Sequence, residues 1–106
     1  MAAQREIITV LSKTPPTVEM DLEVKAAYVR FKRTAVVRTV DLDRPNIIVT
    51  VDFDRENDVV GIEFIGVEDF SIHKLLKAAR VATGNMDLDR ARYVGAGRTQ
   101  RECAPA

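Results

Sequence analysis

The chain reads as an α+β domain: a small antiparallel sheet of three to five strands, a meander with a C-terminal hairpin, covered on one face by one main α-helix. Three observations predict it. Residues 26–33 alternate apolar and polar side chains; residues 47–67 hold two β-patterned runs around a polar connector; and one stretch only, after Ser71, repeats its apolar residues at helical spacing.

Each element has a local reason. Glu6 to Leu11 (EIITVL) is short and β-branched, and Pro15 and Pro16 follow it, which predicts a strand or docked arm. In 26–33, Ala27, Val29 and Phe31 share one face while Tyr28, Arg30 and Lys32 share the other, the mark of a half-buried strand. Residues 35–42 (AVVRTVDL) are again β-branched, with Arg38 interrupting the row Val36, Val40, Leu42, and Asp43 to Asn46 supply a turn. In 47–67, Val49, Val51 and Phe53 face one way, as do Val60, Ile62 and Phe64, and Asn57 suits the left-handed position of the connecting loop. Gly61 inside a strand predicts a bulge or the close approach of another side chain, such as a cross-strand aromatic. Ser71 is placed to cap a helix whose stripe is Ile72, Leu75, Leu76, Ala79 and Ala82, with Gly84 as its stop and Lys77 and Arg80 near the negative end of the dipole. Asn85 to Tyr93 reads as a short second helix or an extended arm, and Val94 to Ala106 as tail. The organisation expected is an N-terminal strand or arm over 1–16, a single α+β domain over 17–84 and a partly flexible C-terminal extension over 85–106.

A length of 106 residues supports one core and excludes most two-domain cofactor enzymes. Sixteen basic and sixteen acidic residues cancel, so no global field draws in nucleic acid. The cancellation hides segregation: 25–38 carries five basic and no acidic residues, 52–69 seven acidic and one basic, and 74–101 seven basic and two acidic. Faces of opposite sign can satisfy each other across neighbouring strands or between two copies. The start of the chain lacks a signal-peptide pattern and no apolar run is long enough to span a membrane, so a cytoplasmic location is expected, with the single Cys103 reduced and without a mechanistic role.

The acids of the hairpin are the most chemically suggestive group. Asp52, Asp54, Glu56, Asp58 and Glu63 fall at positions 1, 3, 5, 7 and 12 of a calcium-loop template. The flanks are strands where that template needs helices, so a charged hairpin tip that discourages edge pairing is the preferred reading. Asp52, Asp54 and Glu63 stand as the candidates for an alternative, a metal-binding protein or small hydrolase. His73 has no second His or Cys to share a metal with and is expected at the helix surface. The sequence has no phosphate loop, nucleophile elbow or CxxC motif, and the chain is expected to be non-enzymatic and without a cofactor. Tyr28 with Arg30, Lys32, Arg33 and Arg38 is the composition of a single-strand-binding face, but one tyrosine and zero net charge make nucleic acid the unexpected partner.

Residues 20–30 (MDLEVKAAYVR) and 48–65 (IVTVDFDRENDVVGIEFI) resemble the YuzE-like family of small bacterial proteins, a domain of unknown function. Asp21, Tyr28, Asp54, Gly61, Ile62 and Glu63 match the family pattern, whereas Met20, Lys25 and Asn57 depart from it at a Tyr, an Asp and a turn Gly. The resemblance implies a small antiparallel sheet with one covering helix, no established catalysis, and an antitoxin- or immunity-type binding role. The expectation is therefore a protein-binding module that self-associates as a dimer, with Tyr28, Arg30, Lys32, Arg38, Asp54 and Glu63 as its interaction surface.

Overall fold

The computed structural model describes residues 8–10 and 14–95; Cys103 and the charged residues beyond Gly95 lie outside them. Eight strands and one α-helix occur among the described residues: β1 (Ile8–Thr9), β2 (Thr17–Asp21), β3 (Ala26–Arg30), β4 (Arg38–Leu42), β5 (Ile48–Phe53), β6 (Val59–Ile65), α1 (Ile72–Ala79), β7 (Val81–Ala82) and β8 (Arg92–Gly95), with a 3₁₀ turn at Leu88–Arg90. The α+β class holds, and the sheet is larger than expected. Its six strands lie in the order β4-β5-β6-β3-β2-β8, antiparallel except for the β2–β8 pair, while β1 and β7 form a separate two-stranded parallel ribbon.

The excess over three to five strands has two sources. Thr17–Asp21 pairs with β3 as a hairpin, and Arg92–Gly95, expected as arm and tail, adds beside it at the edge. Nor is the sheet a simple meander, because β3 takes β6 as its neighbour and the chain returns through β4 and β5 only afterwards.

The core lies between one face of the sheet and α1. Val18, Val29, Val49, Val51, Ile62 and Phe64 are at most 1% exposed and meet Ile72, Leu75, Leu76 and Ala79 of the helix, each at most 3% exposed. Burial of the valine, isoleucine, leucine and phenylalanine side chains among these, at roughly 1.5–3 kcal/mol each relative to exposure, is the main favourable contribution to the fold. The alternation in 26–33 holds, with Ala27, Val29 and Phe31 buried. Gly61 fulfils both readings of a strand glycine. Asp52 pairs with Gly61 but Phe53 with Val59, so Val60 is the extra residue of a bulge, and its carbonyl accepts from the N–H groups of both Phe31 and Lys32.

The helix departs from expectation at both ends. It stops at Ala79, five residues before Gly84, because Arg80 adopts the left-handed conformation and Val81 turns into the ribbon with Ile8. Arg44 donates from Nη2 to the Ala79 carbonyl at 2.9 Å, satisfying one of the free carbonyls there. At the other end Ser71 holds the cap position without a side-chain cap, and its own N–H is taken by the Asp69 carboxylate. The first helical N–H, of Ile72, donates instead to the Tyr93 hydroxyl at 2.8 Å. Thus β8 caps the helix that covers the sheet. Tyr93→Phe is expected to cost about 0.5–1.5 kcal/mol, the net worth of one such bond, read as a lower midpoint in urea unfolding with an unchanged slope.

Candidate functional site

The other face of the six-stranded sheet has no described element over it, and it carries a continuous polar network. Glu19, Tyr28 and Arg30, Gly61 and Glu63, Thr50 and Asp52, and Thr39 follow one another across β2, β3, β6, β5 and β4. Tyr28 is its centre. The phenol donates to Asp52 Oδ2 at 2.7 Å, and Thr39 donates to Asp52 Oδ1 at 2.7 Å. Arg30 stacks over the Tyr28 ring with its guanidinium 5.0 Å from the centroid, and it forks onto Glu19 through Nε at 2.9 Å and Nη2 at 3.3 Å.

Gly61 is what lets the tyrosine lie flat. A Cβ added there would stand 2.4 Å from Cε2, Cζ and Oη of Tyr28, so any side chain would evict the ring. Burial, reinforced by the hydrogen bond to Asp52 and its charge, pushes the phenol well above the ordinary tyrosine value of 10. Tyr28 is therefore a protonated donor at neutral pH. Since the folded value is raised, the phenol contributes stability that is fully present below about pH 10 and is lost as the pH climbs further.

A second cluster sits where the hairpin closes. Asp54 is 6% exposed, the one charged residue among the buried side chains described. Lys32 Nζ lies 2.7 Å from its Oδ2, Thr34 donates to the same oxygen at 3.3 Å, and the N–H groups of Glu56 and Asp58 donate to Oδ1 at 2.9 and 3.0 Å. Asn57 completes the loop in the left-handed region, as its place in the sequence suggests, and also accepts from Arg38, whose guanidinium stacks 4.2 Å from the Phe53 ring centroid. The lysine, together with these N–H donors, lowers the Asp54 carboxyl from its ordinary 3.8 to about 2.

Three of the five acids placed by spacing converge, but Asp54 is the one member of the trio Asp52, Asp54 and Glu63 among them. Asp54, Glu56 and Asp58 bring one oxygen each within 4.8 Å of one another, while Asp52 is engaged by Tyr28 and Thr39, and Glu63 is exposed beside Thr50. The Lys32 ammonium, 2.7 Å from Asp54 and 3.4 Å from Asp58, supplies the positive charge that this cluster needs. Four of the five basic residues of 25–38 are likewise engaged within the chain: Lys25 with Glu68, Arg30 with Glu19, Lys32 with Asp54 and Asp58, Arg38 with Asn57 and Phe53. Of these contacts, Arg30 with Glu19 joins opposite charges across the neighbouring strands β3 and β2. His73 is exposed on the helix, 3.3 Å from Asp89.

A family model described as a protein of unknown function (DUF2283) matches residues 18–67, the stretch from β2 to just past β6. That span contains Tyr28, Asp52, Asp54 and Gly61, and it ends before the capping helix and β8. No curated protein and no solved structure matches the chain.

Two outcomes test the site. Gly61→Ala is expected to tilt the Tyr28 ring off Asp52, so that the phenol titrates nearer 10 in absorbance at 295 nm. In the parent the raised value holds until the fold opens. Asp54→Asn is expected to remove a contribution that the parent holds above about pH 4 and loses as the pH falls toward 2. Acid unfolding of the variant, followed by circular dichroism, then starts from a lower stability at neutral pH and loses less of it on acidification.

Proposed function

We propose that the protein is a non-enzymatic binding module of the YuzE-like type, a cytoplasmic protein that associates with itself and presents the open face of its sheet to another protein, in the manner of an antitoxin or immunity protein. The observation that carries the reading is the make-up of that face. Beside the Tyr28 network, Ile48 and Ile65 pair across β5 and β6 with exposures of 58% and 37%, so an apolar strip adjoins half-buried tyrosine and arginine side chains already held in place. Interfaces draw on such groups: rigid aromatic and guanidinium anchors ringed by apolar surface that loses water on contact.

An enzymatic reading gains less support. The alternative built on Asp52, Asp54 and Glu63 needs free carboxylate oxygens at one point, whereas Asp54 is saturated by Lys32, Thr34 and two backbone N–H groups. Binding through the cations of β3 to a nucleic acid would first have to break the pairs Arg30–Glu19 and Lys32–Asp54. No described helix is long and apolar enough to cross a membrane.

The test is a purified-partner measurement. After capture from the source cells and identification by mass spectrometry, the partner is expected to bind the parent chain and to bind Ile48→Lys or Ile65→Lys at least tenfold more weakly, by titration calorimetry. Lys77→Ala, on the exposed side of α1, is expected to bind as the parent does. Equal affinity for all four chains would remove the open face as the binding surface.

A further inference from the structure

We infer that the self-association proposed above runs through the free edge of β4, where two copies join antiparallel about a two-fold axis at Val40 to make one sheet of twelve strands. The inference rests on the dimeric part of that reading and specifies its surface.

β4 ends the six-stranded sheet, and no described strand pairs with its outer edge. Natural edges are guarded by lysine, proline, bulges, inward charges or a covering segment, because a row of unmatched N–H and C=O groups accepts another strand. β4 has few of these. Its sequence Arg38–Leu42 contains no proline or lysine and pairs with β5 in unbroken register over all five residues. Its cation is drawn away from the edge: Arg38 folds back over Phe53 and bonds to Asn57 on its own sheet. Immediately before the strand, Val36 and Val37 are 45% and 61% exposed, so the apolar surface continues past its first residue.

The charges select the register. In a continuous sheet built on a two-fold axis, a residue can face only residues of its own side of the sheet, so each allowed pairing is centred on one residue. Centring on Arg38 sets the two arginines opposite each other, and centring on Asp41 does the same for the two aspartates; both are unfavourable. Centring on Thr39 leaves Asp41 facing the exposed Val37 of the second copy. Centring on Val40 pairs every residue of β4 with a residue of β4: Val40 with itself, Arg38 with Leu42, and Thr39 with Asp41, a hydroxyl against a carboxylate. Only this arrangement uses the whole strand without a like-charge pair.

Sedimentation velocity on the full chain tests the inference. The parent is expected to be a dimer at micromolar concentration, and Val40→Lys and Val40→Glu, each of which faces its own copy across the axis, are expected to weaken the dimer at least tenfold. Mixing the two is expected to restore a heterodimer, which shows that both chains are folded. Hydrogen exchange on the unsubstituted chain supplies a second measurement, with the β4 amides becoming slower as concentration rises. A monomeric parent, or a dimer that both substitutions leave intact, overturns the proposal; a dimer strengthened by Val40→Glu alone places Val40 opposite Arg38 and overturns the register. Capture of a protein partner through Ile48 and Ile65 is expected to be the same for Val40→Lys as for the parent, so failure of the edge and failure of the open face are read separately.

Discussion

One buried carboxylate sets the geometry on which the central sheet depends. Asp54 stands at the mouth of the β5–β6 hairpin with its oxygens divided between two tasks: one accepts the loop N–H groups of Glu56 and Asp58, the other takes Lys32 and Thr34 from the segment after β3. A charge removed from water in this way is tolerated only when paired and fully hydrogen-bonded. Asp54 meets that condition, and in doing so it closes the hairpin and locks it against β3. The bulge at Val60 is part of the same junction, since its carbonyl receives Phe31 and Lys32, the residues that bring the lysine to the carboxylate.

That junction also explains why the open face is ordered. With β3 and β6 held in register, the Tyr28 ring lies on Gly61 and its hydroxyl reaches Asp52 on the next strand. Thr39 extends the chain of hydrogen bonds to β4, and Arg30 and Glu19 extend it to β2. A polar sheet face with this degree of internal bonding loses little side-chain freedom on contact with a partner, because the freedom has already been given up on folding.

Much of this was legible in the amino-acid order, and the limits have physical causes. The hairpin, the left-handed Asn57, the inward rows of β3, β5 and β6, and the special status of Gly61 all follow from local periodicity and backbone chemistry. The pairing of β3 with β6 does not, because it is a contact between distant segments that period-two alternation cannot specify. The helix terminus escaped because Arg80, not a glycine, takes the left-handed position, and β8 because Arg92 to Gly95 is too short and polar to stand out. Asp54 was visible as a candidate metal ligand for its spacing; the same polar loop after an aspartate also signals a turn-forming carboxylate, which is the role it takes.

The parallel pairing of β2 with β8 has a consequence for how the chain acquires its structure. The hairpins β2–β3 and β5–β6 join neighbours in sequence and can form early, whereas Thr17 meets Arg92 only after nearly the whole described chain has been made. Until then β2 is an outer strand and the start of α1 lacks the Tyr93 hydroxyl. Once paired, β8 closes one margin of the sheet and secures the helix together, so the two contacts form or are lost as one.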